Sequence, residues 1–203
     1  MKVHVLVEGT SEREFFDRWG PRCNSDLKWK IHPHQGKGTF ASAMKKNPNP
    51  RRRGLLDQLP RKLAGWAKGF DRSQEKILVV LDTDADSIGE VRLQFEELVQ
   101  GVDECPPVEL VLATEELEAF YLGDLAALKR AYPQHDAKMA KAYVPDSVVG
   151  TWELFGAIIG DGGGRKVEWA KTLGGKTVAQ KTPRKSRKAK AASPQDASGR
   201  RRR

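Results

Sequence analysis

Cysteine is nearly missing: Cys23 and Cys105 are the only two in 203 residues. Two thiols cannot build a disulfide framework or a cysteine-rich zinc site, and a reducing cytoplasm is the expected location. Apolar residues nowhere run on for the roughly 18 positions a membrane span needs. Residues 1–10 are too few and too soon charged, at Glu8, to read as a signal peptide. No internal repeat is present.

Charge of one sign is also scarcer than the total suggests. The chain carries 36 Lys and Arg against 27 Asp and Glu, a formal net charge of +9. Residues 181–203 hold ten of those bases and one acid, Asp196, which leaves 26 of each sign in residues 1–180. The balanced part is long enough to bury a proper core. The terminal stretch has no apolar periodicity and cannot offset its ordering entropy, so residues 177–203 read as a disordered basic tail. Such a tail attracts any polyanion, with strong salt dependence and little sequence preference.

What is present is an alternation of short apolar strands and amphipathic helices. Residues 3–7 (Val-His-Val-Leu-Val) form a β-branched run that stops at Glu8-Gly9. A helix from Thr10 or Ser11 to about Trp19 follows, with Ser11 and Glu14 at capping-box spacing. Residues 27–32 read as a second strand, and residues 33–53 as irregular. Leu55, Leu56, Leu59, Leu63 and Trp66 recur at helical spacing, with a boundary or kink expected at Pro60. Residues 76–81 are the clearest strand, apolar on both faces as a central parallel strand must be. Residues 88–99 read as a helix and 108–112 as a strand. From Glu115 a helical stretch runs towards Ala131, with short helices over 152–159 and 166–173.

This order implies an α/β fold, a parallel sheet flanked by helices. The expected organisation is an α/β domain over residues 1–132, a helical C-terminal extension over 133–176, and the tail beyond.

Ligands of open parallel sheets bind outside the carboxyl ends of the strands. Two of the most apolar strands end there in acids: the first in Glu8, the third in Asp82, Asp84 and Asp86. A further strand leads into Glu115, Glu116 and Glu118. All three groups are expected on one edge, where alternate carboxylates can converge on a hard divalent cation such as Mg²⁺. Taken singly, each acid reads as a solvated turn residue or helix cap. Glu8 and Asp82 together, each following a buried strand, favour the metal site.

These residues also resemble a known family. Val7-Glu8-Gly9-Thr10-Ser11-Glu12, followed by Phe15 and Phe16, looks like the first motif of Toprim domains in small bacterial proteins. Leu78 to Leu81 followed by Asp82-Thr83-Asp84 resembles their Asp-x-Asp motif. The stretch Thr114-Glu115-Glu116-Leu117-Glu118, continuing to Asp124, is similar to that of one group, domain-of-unknown-function family 4276. The resemblance spans residues 3 to about 172. The segment 162–173 resembles the family's late lysine-x-x-tryptophan-alanine stretch, although the usual serine/phenylalanine ending is not evident and the basic tail stands in its place.

The resemblance implies a Toprim-like (Rossmann-like) fold and a Mg²⁺- or Mn²⁺-dependent nuclease acting on nucleic-acid phosphodiesters. Glu8 would be general acid/base or metal ligand, and Asp82 and Asp84 the metal pair, with Glu12 and Glu118 supporting. It also implies an AAA-type or SMC-like ATPase partner and a role in phage defence. Lys45, Lys46, Arg51, Arg52 and Arg53, with Arg184, Lys185, Arg187 and Lys188 of the tail, are the candidate nucleic-acid contacts.

Other readings fit less well. A topoisomerase needs a separate tyrosine-bearing domain, and a primase a zinc module. An aspartate-nucleophile phosphatase wants Thr or Val two positions after its second aspartate, where this chain has Asp86. Gly174-Gly175-Lys176-Thr177 imitates a P-loop end, but the first glycine of that pattern would be Ala170. Gly36-Lys37-Gly38 and residues 162–164 read as flexible loops. His4 is expected to pack or pair locally, and no zinc site is expected at His32 and His34. The five tryptophans read as core residues. A non-catalytic adaptor, binding nucleic acid through the tail and an ATPase through the sheet, is the main alternative.

Overall fold

The computed structural model describes residues 1–43, 51, 53–83, 86–148, 150–162 and 164–177. The chain begins with β1 (Lys2–Val7), α1 (Thr10–Cys23), β2 (Lys28–Pro33), α2 (Phe40–Ala43), α3 (Leu55–Ala67) and β3 (Glu75–Asp82). It continues through α4 (Ile88–Gln100), β4 (Val108–Ala113), α5 (Glu118–Leu122) and α6 (Leu125–Ala131). The last described elements are α7 (Ala137–Ala142), α8 (Thr151–Ile159) and α9 (Lys166–Gly174). The expected α/β architecture is present: a parallel four-stranded sheet in the order β2-β1-β3-β4, flanked by helices.

Alternation along the strands sorts side chains to two faces. Leu6, Ile77, Val79 and Leu81 face α3 and α4, where Leu55, Leu56, Leu59, Leu63, Val91, Phe95 and Leu98 close one core. Val3, Val5 and Val7 face the other way, packing with Phe16 of α1 and with Trp29 and Ile31 of β2. A third core joins α1 and α5 to the C-terminal helices through Phe15, Tyr121, Phe155 and Trp169. Leu78 and Val80 are only half-buried, and Val111 on edge strand β4 is exposed, because α1 covers β1 and β2 rather than β3 and β4. The sequence expectation of a β3 buried on both faces is thus met on one face only.

Several local expectations are corrected. Helix α3 runs through Pro60. An interior proline costs about 3 kcal/mol. Burying four leucines is worth roughly 1.5–3 kcal/mol each, so packing wins. The proposed capping box does not form, because α1 starts at Thr10 with Gly9 as its cap and no side-chain cap bond. Ser11 donates to Glu12 instead, and Glu14 pairs with Arg18. The helical stretch expected from Glu115 begins at Glu118 and breaks at Gly123, with Asp124 accepting from Ala127 N–H to cap α6. His4 does pair locally: its Nδ1 lies 3.0 Å from His32 Nε2, and both rings pack on Trp66. Burial holds His4 low and His32 down at about 4.

Among the described residues, no helix is long and apolar enough to cross a membrane.

Candidate functional site

The order β2-β1-β3-β4 creates a switch point. The chain leaves β1 for α1 on one face and leaves β3 for α4 on the other. The two exits diverge, and the crevice between them is where open α/β sheets bind ligands. Glu8 and Asp82 stand on its two sides. Lys2 to Leu6 pair with Glu75 to Val79 in register, so both strands deliver their ends to the same edge.

The two residues meet directly: Glu8 Oε1 accepts the backbone N–H of Asp82 at 2.9 Å. Both side chains are half-buried. A carboxylate has about four acceptor positions, and this N–H takes one of them. Thr83, directly after Asp82, is firmly held. Thr83 N–H donates to Ala113 O at 2.8 Å, its Oγ1 donates to Thr114 O at 3.2 Å, and the residue is buried. Asp86 N–H returns to Thr83 O at 2.8 Å. Asp84, assigned by sequence to the metal pair, lies outside the described residues, as do Lys45, Lys46, Arg52, Arg184, Lys185, Arg187 and Lys188.

The loop after β2 forms the near wall. Gly36 N–H donates to Glu8 O at 2.8 Å, Gln35 N–H to Arg53 O at 3.0 Å, and Leu55 and Leu56 N–H to Gly36 O and Lys37 O, both at 2.8 Å. His34 donates its backbone N–H to Val7 O at 3.1 Å, and its Nδ1 lies 2.9 Å from the same oxygen. Gly36 and Gly38 have φ of +85° and +75°, a conformation that a side chain would strain. The flexible loop expected from sequence is therefore a hydrogen-bonded one, set by those two glycines. It carries the exposed Arg53 beside the acidic edge, with Arg51 two residues away. It also carries Lys37, whose Nζ is 2.8 Å from Asp86 Oδ2 and 3.5 Å from Thr83 O.

The third acidic group divides into different roles. Glu115 is buried and accepts from Tyr143 Oη, Ser147 N–H, Val148 N–H and Thr151 Oγ1. These bonds hold its carboxyl below the ordinary range against a larger opposing effect of burial. Glu116 accepts from Trp152 N–H at 3.0 Å and from Lys166 Nζ at 3.3 Å. The ammonium of Lys166 also sits 4.9 Å from the Trp152 ring centre. Both glutamates are thereby turned towards the C-terminal helices.

Glu118 is 1 % exposed, with Oε1 buried and unpartnered. Burial pushes its carboxyl up to about 7; Lys166 pulls the other way, and Glu116 and Glu12 add to the rise. Glu12, half-buried, accepts from Ser11 Oγ at 3.2 Å near the start of α1.

Among the described residues, no group of three or more His, Cys, Asp or Glu is gathered closely enough to hold a metal ion. Glu8 and Asp82 are the pair the fold does bring together, and their hard oxygen donors suit Mg²⁺ or Mn²⁺. A cleft of about 1090 Å³ lies farther along the edge, past β4, lined by Thr114, Glu115, Phe120, Asp124 and Tyr143 among others. Of its three lining acids, Glu115, Asp124 and Asp146, the first is bound by four donors and the second caps α6.

Compared with known proteins, the chain matches no family model and no curated protein.

Sequence reasoning overlooked Lys37 and Tyr121. Glycines flanking a lysine directly after a strand signalled the first. Nothing in the spacing signalled the second, a fully buried tyrosine whose hydroxyl is unpartnered.

Proposed function

We propose that this chain is a Toprim-like, metal-dependent nuclease that hydrolyses nucleic-acid phosphodiesters, with Mg²⁺ or Mn²⁺ held by Glu8 and Asp82. The observation that carries this reading is the contact of Glu8 with Asp82 at the switch point of a parallel sheet. The resemblance of residues 7–12, 78–84 and 114–124 to Toprim motifs supports it. Asp84 joins the ligand set on the strength of the sequence motif. A divalent ion in this position can hold a phosphate oxygen, activate a water and stabilise the leaving oxygen. The chain's part is to hold the Glu8 carboxylate at the end of β3, through the β1–β3 ladder and the bond from the Asp82 N–H.

Glu12, one of the two supporting candidates, stands in the first turn of α1, directly after the Glu8-Gly9 turn. Glu118, uncharged for much of its population at neutral pH, suits proton holding better than ligation until a cation arrives. An AAA-type or SMC-like ATPase partner and a role in phage defence remain part of the proposal through the family resemblance.

The test is purified full-length chain incubated with supercoiled plasmid and with structured RNA, with added Mg²⁺, with Mn²⁺ and with chelator. Metal-dependent nicking or degradation that disappears in Asp82→Asn, with an unchanged thermal midpoint, is the expected result. Cleavage in chelator, or full activity in the variant, overturns it. The adaptor reading is favoured by the charge concentrated in residues 181–203. It predicts nucleic-acid binding that metal does not change and that removal of residues 178–203 abolishes.

A further inference from the structure

We propose that Lys37 is a phosphate-anchoring residue, whose ammonium holds a backbone phosphate of the nucleic acid beside Glu8 and Asp82. The inference rests on the nucleic-acid reading above and adds to it a residue that the acidic motifs do not contain.

Lys37 stands on the loop after β2, yet its Nζ reaches the turn after β3, 2.8 Å from Asp86 Oδ2 and 3.5 Å from Thr83 O. Since β1 lies between β2 and β3, the side chain spans the end of the strand that carries Glu8. The loop beneath it is anchored by bonds to Glu8 O and to the start of α3, and Gly38 packs against Gly54. The lysine is thus presented from a fixed backbone, the condition for a contact that positions rather than merely attracts.

An edge built of carboxylates repels a phosphate backbone, and a fixed cation at the same edge counters that repulsion. One partner of Lys37, Asp86, is open to water: 59 % of its side chain is exposed, against 17 % of the lysine's. A pair open to water on one side is weakened by screening, so a phosphate can compete with Asp86 for the ammonium. A cavity of about 480 Å³ opens beside Lys37, Thr39, Asp86, Gln94 and Glu97, with Lys37 as the cation among the residues that line it. Arg53 and Arg51 extend the positive track from the same loop.

A purely structural lysine would do one thing, tie the β2 loop to the β3 turn through Asp86. The two roles separate experimentally. Full-length chain is titrated against a fluorescein-labelled thymidine oligonucleotide, with Ca²⁺ to avoid turnover, and binding is followed by anisotropy over a salt series.

Lys37→Met is expected to weaken binding about tenfold or more, and to lower the slope of log affinity against log salt by about one. Lys37→Arg is expected to recover part of the loss, and Asp86→Asn to bind as tightly as the parent or tighter. Lys37→Gln replaces the methionine variant if circular dichroism shows the latter unfolded. Binding by Lys37→Met or Lys37→Gln within twofold of the parent overturns the proposal, as does a parallel loss in Asp86→Asn or no binding by the parent.

Cleavage assays with Mg²⁺ keep the two readings apart. A parent that binds through Lys37 but cleaves nothing leaves this inference standing and removes the nuclease. A parent that cleaves, with KM unchanged in Lys37→Met, does the reverse.

Discussion

Glu118 and Tyr121 lie one helical turn apart in α5, and each buries a polar atom without a hydrogen-bond partner, Oε1 of the first and the hydroxyl of the second. The pair is 1 % and 0 % exposed. Burial leads the rise of both groups, and Glu118 adds to that of Tyr121. A carboxyl whose folded value is about 7 binds a proton that the unfolded chain has released above about 4.5. Stability must then fall as pH rises between those values. The full penalty, on the order of 3 kcal/mol, is present at higher pH. Urea unfolding in chelator across this range should show the decline. Glu118→Gln should flatten it and be the more stable protein at pH 8. A parent curve with no slope there would contradict the assignment.

Glu8→Gln separates charge from geometry. A glutamine carbonyl can still accept the Asp82 N–H, so the thermal midpoint should move by no more than the equivalent of about 1 kcal/mol. Mn²⁺ binding, read by electron paramagnetic resonance, should nevertheless weaken at least tenfold. Unchanged Mn²⁺ affinity would remove Glu8 from the ligand set.

Glu115→Ala leaves the partners of one carboxylate unsatisfied: Tyr143 Oη, the Ser147 and Val148 amides and Thr151 Oγ1. Breaking such a buried cluster costs on the order of 3–5 kcal/mol. The expected readout is a large drop in urea midpoint, with faster proteolysis around residues 143–151. A variant as stable as the parent would show that those bonds contribute little.

Gly174→Ala tests how α9 seats on α1. A Cβ at Gly174 would stand 2.8 Å from Phe15 O and 3.1 Å from Phe15 Cα, both backbone atoms that cannot swing aside. Overpacking of this kind costs about 1–3 kcal/mol, and a thermal midpoint lower by several degrees is expected. An unshifted midpoint would mean that the two helices part without penalty.

Much of the fold could be read in the sequence because its strands are short, β-branched and bounded by acids or glycine. Periodicity shows that residues 3–7 and 76–81 are strands; it does not show that they are neighbours. That follows from the chain skipping over β1 on its way from β2 to β3, a decision made by the α3 core around Leu55, Leu59 and Leu63. Glu8 and Asp82 were therefore legible as candidates, while their contact was not.

The Glu115, Glu116 and Glu118 stretch was legible only as a cluster. Its members differ by what the C-terminal helices offer them: four donors, an amide with a lysine, and an apolar enclosure. Such partners lie tens of residues away in sequence. The Gly36–Gly38 loop was misread as flexible because glycine supplies freedom in the unfolded chain and a required dihedral in the folded one, and composition cannot tell these apart.

The division of labour among those three glutamates has a practical consequence for genetics. A screen that scores only lost activity would flag all of them together and invite the conclusion that each takes part in the reaction. Scoring protein abundance alongside would sort them: Glu115 variants should vanish from the cell, whereas Glu118→Gln should accumulate at or above the parental level. Any defect that survives in an abundant protein is the one to follow to the chemistry.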